Sequence, residues 1–138
     1  VVVYGESDGV KIHMVDTGLL CSKFGVPPHI ILAGDHRADG FKGALAENYV
    51  MQALTANGIR PYYWTMQQKA ELDFIFQDRK GNIIPLEVKA AEHVRAKSLM
   101  AFMKRYGCPY AIRVSGKNFG FENGIRSVPL YGVFCLEN

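Results

Sequence analysis

The sequence carries no CxxC pair, no HExxH or HxH histidine spacing and no GxxxxGK loop. These gaps exclude the common structural zinc sites, a zincin-type centre and ATP binding through a P-loop. The three cysteines, Cys21, Cys108 and Cys135, are widely spaced and odd in number. That argues against a disulfide framework and for reduced thiols in a cytoplasm. No apolar run approaches the ~20 residues that span a bilayer. No signal peptide and no membrane association are expected. Internal repeats and low-complexity linkers are also missing. Charge of one sign is in only small excess, with a net charge of +3. A dedicated nucleic-acid binder is often more basic, with a pI above ~9, so this balance merely permits DNA or RNA. The chain opens with Val-Val-Val rather than Met, and a longer parent protein is expected.

What is present suits one compact domain. Of 138 residues, 49% are hydrophobic, enough to fill a core. Lys11–Val15 alternates and reads as a short strand. Asp16 and Thr17 are good N-cap types, so Thr17–Phe24 reads as a short helix ending at Gly25. Pro27-Pro28 and the Gly34–Gly40 stretch read as loop. A long helix is expected from Phe41 to Ala56, stopped by Asn57-Gly58. Its apolar arc comprises Leu45, Tyr49, Val50, Ala53 and Leu54, and Glu47 falls just past one edge.

Strands follow at Pro61–Thr65, Glu71–Gln77 and Ile83–Lys89. The second alternates, with Leu72, Phe74 and Phe76 on one face. The polar turn Asp78–Asn82 makes the second and third antiparallel. Pro85 suggests an irregular or edge-like position. A second amphipathic helix spans His93 to Tyr106, with Leu99, Phe102, Met103 and Tyr106 as its stripe. Pro109–Val114 and Val128–Leu136 read as further strands. Residues 1–40 form an N-terminal extension packed on a core of residues 41–138.

The chemistry lies in charged residues that interrupt apolar strands. Glu87 and Lys89 are two apart on one strand and point to the same face. Asp73 lies on the preceding strand, across a tight turn, so its carboxylate can come beside Glu87. Like charges side by side are destabilising without a counterion. Lys89 offsets part of that cost and a bound cation would offset the rest. Two carboxylates and a lysine converging on one point are the minimum for metal-assisted phosphodiester hydrolysis. A lone Glu-x-Lys is common and by itself reads as a structural ion pair on a sheet. Asp73, Glu47 and the element order move the reading toward a metal site.

Asp73 followed by Glu87-Val88-Lys89 resembles the D…(D/E)-x-K signature of the PD-(D/E)XK nuclease superfamily. Glu47, in Gly43-Ala-Leu-Ala-Glu47, resembles the acid on that superfamily's first core helix. Leu72 stands where the name has proline. A closer resemblance is to the domain of unknown function at the C-terminus of many prokaryotic AAA+ family ATPases. It is carried by Val15-Asp16-Thr17-Gly18-Leu19-Leu20, Gly43…Glu47-Asn48, Tyr63-Trp64, Glu71-Leu72-Asp73-Phe74, Pro85-Leu86-Glu87-Val88-Lys89, Ser98-Leu99…Phe102 and Pro129-Leu130-Tyr131.

The resemblance implies an α/β restriction-endonuclease-like fold, with an αβββαβ core and a mixed central sheet flanked by helices. It implies a Mg²⁺- or Mn²⁺-dependent nuclease acting on DNA, less readily RNA. Asp73, Glu87 and Lys89 would be catalytic. Glu47, Asp73, Glu87 and the Val88 carbonyl would hold the metal. An ATPase domain would precede this one in the same chain. The rival expectation is a catalytically inactive module that binds nucleic acid or protein and regulates that ATPase, or mediates its oligomerisation.

Other residues have plainer readings. Arg95 and Lys97 are the better candidates for nucleic-acid contact; Lys104 and Arg105 read as a solvated face. Glu71 is expected to be exposed. The four histidines lack ligand spacing and read as no metal site. Tyr62, Tyr63 and Trp64 suit sheet packing better than base stacking.

Overall fold

The computed structural model describes residues 11–33, 39–66, 70–89 and 97–137. Three helices come first: α1 (Thr17–Lys23), α2 (Pro28–Leu32) and α3 (Asp39–Ala56). Strands β1 (Tyr62–Met66), β2 (Ala70–Gln77) and β3 (Ile83–Lys89) follow, then α4 (Lys97–Tyr106) and β4 (Ala111–Ser115). A hairpin of β5 (Gly120–Glu122) and β6 (Ile125–Pro129) and a 3-10 helix (Leu130–Cys135) complete the chain. The fold is α/β. One mixed sheet of six strands, in the order β1-β2-β3-β4-β6-β5, is flanked by helices. The first three strands are antiparallel, and β3, β4 and β6 run parallel.

The core has two layers, one on each face of the sheet. Val50 and Leu54 of α3 pack on Phe74, Phe76, Ile84, Leu86, Ile112 and Val114. Leu99 and Phe102 of α4 pack on Leu72, Ala111 and Ile125, with Trp64 and Ile75 beside them. Burying side chains of this size contributes about 1.5–3 kcal/mol each. Trp64 meets the rings of Phe102 and Tyr106 edge-on at 5.0 and 6.2 Å, so it serves packing.

Several expectations need correction. Leu72 and Phe74 do not share a face. Tyr62 pairs with Ile75 and Trp64 with Leu72, so β2 spends one residue more than β1 over that interval. This bulge turns Leu72 toward α4 and leaves Phe74 and Phe76 on the α3 side. Pro85 is fully buried in a central strand rather than near an edge. Pairing with β4 begins only at Leu86, one residue beyond it.

Lys11–Val15 is no strand; the Met14 N–H donates to the Asn48 side chain at 2.6 Å instead of entering the sheet. Pro28 starts helix α2 rather than a loop, in keeping with proline's preset φ at a first helical turn. The last expected strand divides into β6 and the 3-10 helix. There, Asn57 donates to the carbonyls of Phe134 and Leu136 at 2.7 and 2.8 Å and holds the turn. The β5–β6 hairpin was legible but unread: Asn123 and Gly124 both have positive φ, the Asn-Gly signal of a two-residue hairpin turn.

Other expectations stand. Asp16 caps α1, its carboxylate accepting the Leu19 N–H at 2.9 Å. Gly58, with φ 75°, follows the end of α3. The second helix begins, among the described residues, at Lys97; its expected start at His93 lies outside them, as does Arg95. All three cysteines are free. Among the described residues, no helix is long and apolar enough to cross a membrane.

Candidate functional site

The bulge in β2 decides where Asp73 points. Pairing between β2 and β3 runs from Gln77–Ile83 to Phe74–Leu86 and goes no further. Beyond it, Asp73 Oδ2 accepts the Val88 N–H at 2.7 Å. The Asp73 carboxylate therefore rests against the peptide that joins Glu87 to Val88. On β3, Leu86 and Val88 face the α3 layer, so the alternate positions Glu87 and Lys89 leave it.

Glu87 is 4% exposed. Its Oε1 lies 3.2 Å from Lys89 Nζ, and its Oε2 is buried with no partner. An unpaired buried acceptor costs about 1–3 kcal/mol, more for a charged group. Such an orphan oxygen is what a site awaiting a cation or a donor would show. Arg113 on β4 is in register with Glu87, and its Nε is also buried without a partner.

The second half of the site is built from α3 and the segment before α1. Glu47 is part-buried. Its Oε1 takes Lys11 Nζ at 3.1 Å and His13 Nε2 at 3.2 Å. The same ammonium reaches Glu71 Oε1 at 2.6 Å and Asp73 Oδ1 at 3.6 Å. Three carboxylates from α3 and β2 thus converge on one positive charge, and that charge is Lys11.

The electrostatics follow from this arrangement. Burial alone would lower the Lys11 pKa, but the Glu71 hydrogen bond and the charges of Glu47 and Asp73 hold it above the ordinary lysine value. Burial raises Glu47, yet the His13 hydrogen bond and Lys11 bring it below the usual range. Asp73 is raised, first by burial and then by the charge of Glu47. The Val88 N–H, Lys11 and Lys89 only partly oppose that. The like charge that repels Asp73 is thus Glu47, where the sequence pointed to Glu87.

Asp73 and Glu47 are therefore brought together at Lys11 on the α3 side, whereas Glu87, expected beside Asp73, leaves that layer and pairs with Lys89. The Val88 N–H on Asp73 links the two halves. The Val88 contribution that is seen is its N–H, donated to Asp73. Glu71 is exposed, as expected, yet it joins the cluster through Lys11. Lys97 begins α4 and is exposed. Lys11 and His13 were missed. Their pairing with Glu47 spans 36 and 34 residues, and no local pattern announces it.

Does the donor set fit a divalent metal? Hard oxygen donors around a cation are what Mg²⁺ requires, and the acids that meet at Lys11 supply them. Among the described residues, however, no three His, Cys, Asp or Glu side chains already stand as a metal would need. The oxygens lie 2.6–3.6 Å from the ammonium, whereas Mg²⁺ contacts are about 2.1 Å. The chemistry fits; the closure does not, while Lys11 is in place.

Two cavities flank these groups. A small one of about 20 Å³ is lined by Lys11, His13, Tyr62, Tyr63 and Asp73, among others. A larger one of about 540 Å³ opens beside Val88 and Lys89, walled by Leu45, Tyr49, Val114 and Leu130. The second is mostly apolar, and none of the four acids lines it.

A family model matches residues 42–133, and its description is Domain of unknown function (DUF4143). The match spans most of the chain, and the protein belongs to this family. No curated protein and no solved structure matches the chain.

Proposed function

We propose that this domain is a metal-dependent nuclease of the PD-(D/E)XK type, cleaving phosphodiester bonds in DNA as part of a longer ATPase. The observation that carries the reading is the buried Glu87, with one oxygen paired to Lys89 and the other unpaired, beside a β2 acid that grips the same stretch of backbone. The order of helix, three strands, helix and strand from α3 to β4 is the core order that the superfamily resemblance implies.

Glu47, Asp73 and Glu87 would hold Mg²⁺ or Mn²⁺. The metal would polarise the phosphate and supply a hydroxide-like nucleophile near neutral pH. Lys89 pairs with Glu87 and orients it, and its ammonium stands ready to position water or offset phosphate charge. The Val88 N–H fixes the Asp73 carboxylate. Lys97, at the start of α4, and Arg95 are the proposed backbone contacts.

Plasmid nicking with Mg²⁺ or Mn²⁺ tests this reading. The native protein should nick, while Glu87→Ala and Lys89→Ala should not. Equal activity in all three would remove the assignment.

One observation favours a second reading. Lys11 already neutralises the acids of α3 and β2, as it would in a non-catalytic module that regulates an attached ATPase. That reading expects no cleavage by any variant, Lys11→Met included.

A further inference from the structure

Two of the three carboxylates that the proposed function assigns to a divalent cation, Glu47 and Asp73, already meet a cation, and it belongs to the chain itself. Lys11 Nζ is 3.1 Å from Glu47, 2.6 Å from Glu71 and 3.6 Å from Asp73. Their further support is weaker or neutral: His13 on Glu47, and the Val88 N–H and the more distant Lys89 for Asp73. The space next to the ammonium is only about 20 Å³, room for roughly one water and no more. A metal held by the same carboxylate oxygens would stand where the ammonium now stands, so the two exclude one another.

The segment that carries Lys11 is built to leave. Residues 11–15 have no regular structure. Ile12 and Val15 are 73% and 80% exposed, so little apolar contact holds them. The tethers are chiefly polar: the Met14 N–H on Asn48 at 2.6 Å, His13 on Glu47 at 3.2 Å, and Lys11 itself. The His13 ring also packs on Phe74, with centroids 5.7 Å apart. Few buried apolar contacts and solvent-reachable hydrogen bonds mark a region that opens at low cost.

We propose that Lys11 is a built-in competitor for the divalent cation, holding the acid cluster closed until the 11–15 segment lifts from α3. This inference rests on the cation-binding half of the proposed function. Glu71 becomes a member of the cation set, because it makes the shortest contact to the ammonium. Exchange replaces one positive charge at 2.6–3.6 Å by two at about 2.1 Å, so the acids gain attraction once the lysine has gone. Glu87, with its spare oxygen, lies on the next strand but leaves the α3 layer, so its side chain must turn to join.

Calorimetric titration of the whole chain with Mn²⁺ alone tests the proposal, without reference to turnover. Lys11→Met should bind Mn²⁺ at least tenfold more tightly than the native protein. Lys11→Gln, a second neutral variant, should do the same and serves if the first folds poorly. Lys11→Arg should show no gain, because it keeps the charge. Asp73→Asn placed on top of Lys11→Met should abolish the gain. Equal or weaker binding by both neutral variants would overturn the proposal. Absence of Mn²⁺ binding in every protein would overturn it together with the cation-site reading. Tighter binding without plasmid nicking would uphold Lys11 as the competitor and remove only the catalytic assignment.

Discussion

Asp73 and Glu87 stand on neighbouring strands and share one stretch of backbone, yet they are neutralised in different ways. Glu87 is buried, and its partner is Lys89, two residues along the same strand. Asp73 is more open, and its ammonium comes from Lys11, 62 positions earlier in the chain. The local pair is fixed by strand periodicity. The remote pair exists only if the segment before α1 lies on α3. One carboxylate is held by the architecture; the other is held by a segment that can leave.

The largest effect is expected at the local pair. Lys89→Met strands the Glu87 charge in a buried position. Stability should fall by about 3 kcal/mol, the low end of the range for breaking a buried ion pair because the ammonium is one-third exposed. Urea unfolding measures this, and adding Glu87→Gln should recover most of the loss. A loss below about 1 kcal/mol, the scale of a surface pair, would mean that Glu87 reaches water and that the contrast with Asp73 is empty.

A smaller effect is expected at the remote pair. Lys11→Met should cost about 1 kcal/mol, since the ammonium and its acids remain partly exposed. Saturating Mn²⁺ should return it through preferential binding to the folded state. The pH dependence sharpens the point. Lys11 is held above its ordinary pKa, so its contribution is full below that ordinary value. The contribution is lost as pH rises through the higher folded value. Unfolding measured across the alkaline range should show this loss in the native protein, and Lys11→Met should lack it.

The smallest effect belongs to Glu71→Gln. Its side chain is 55% exposed, so stability should change by only a few tenths of a kcal/mol. Mn²⁺ affinity in the Lys11→Met background should still fall about threefold. No change in affinity would return Glu71 to the solvated role that its exposure suggests.

The same division explains what could be read before the structure. Helix α4, strands β2 and β3 and the Glu87–Lys89 pair follow from periods of 3.6 and 2 that are written locally, and the end of α3 follows from Asn57-Gly58. The bulge at Asp73 left no such trace. Leu72, Phe74 and Phe76 fit a period of two, and the extra residue is visible only against β1. Lys11–Val15 also alternates, yet its backbone donor goes to Asn48, a competition that no window of neighbouring residues contains. The Asn123-Gly124 turn is written in the sequence, but the strand before it, Gly120–Glu122, is only three residues long, too short for a period of two to show. Lys11 and His13 could have been suspected only from the shortage of positive charge near three acids.

A crystal of Lys11→Met soaked in Mn²⁺ tests the central claim most directly. The account predicts anomalous density bounded by Asp73 and Glu47, with carboxylate oxygens at about 2.2 Å, close to the Mg²⁺ contact distance, and with Glu87 drawn toward it. A soaked crystal with no such density, and with the freed acids turned to solvent, would contradict it.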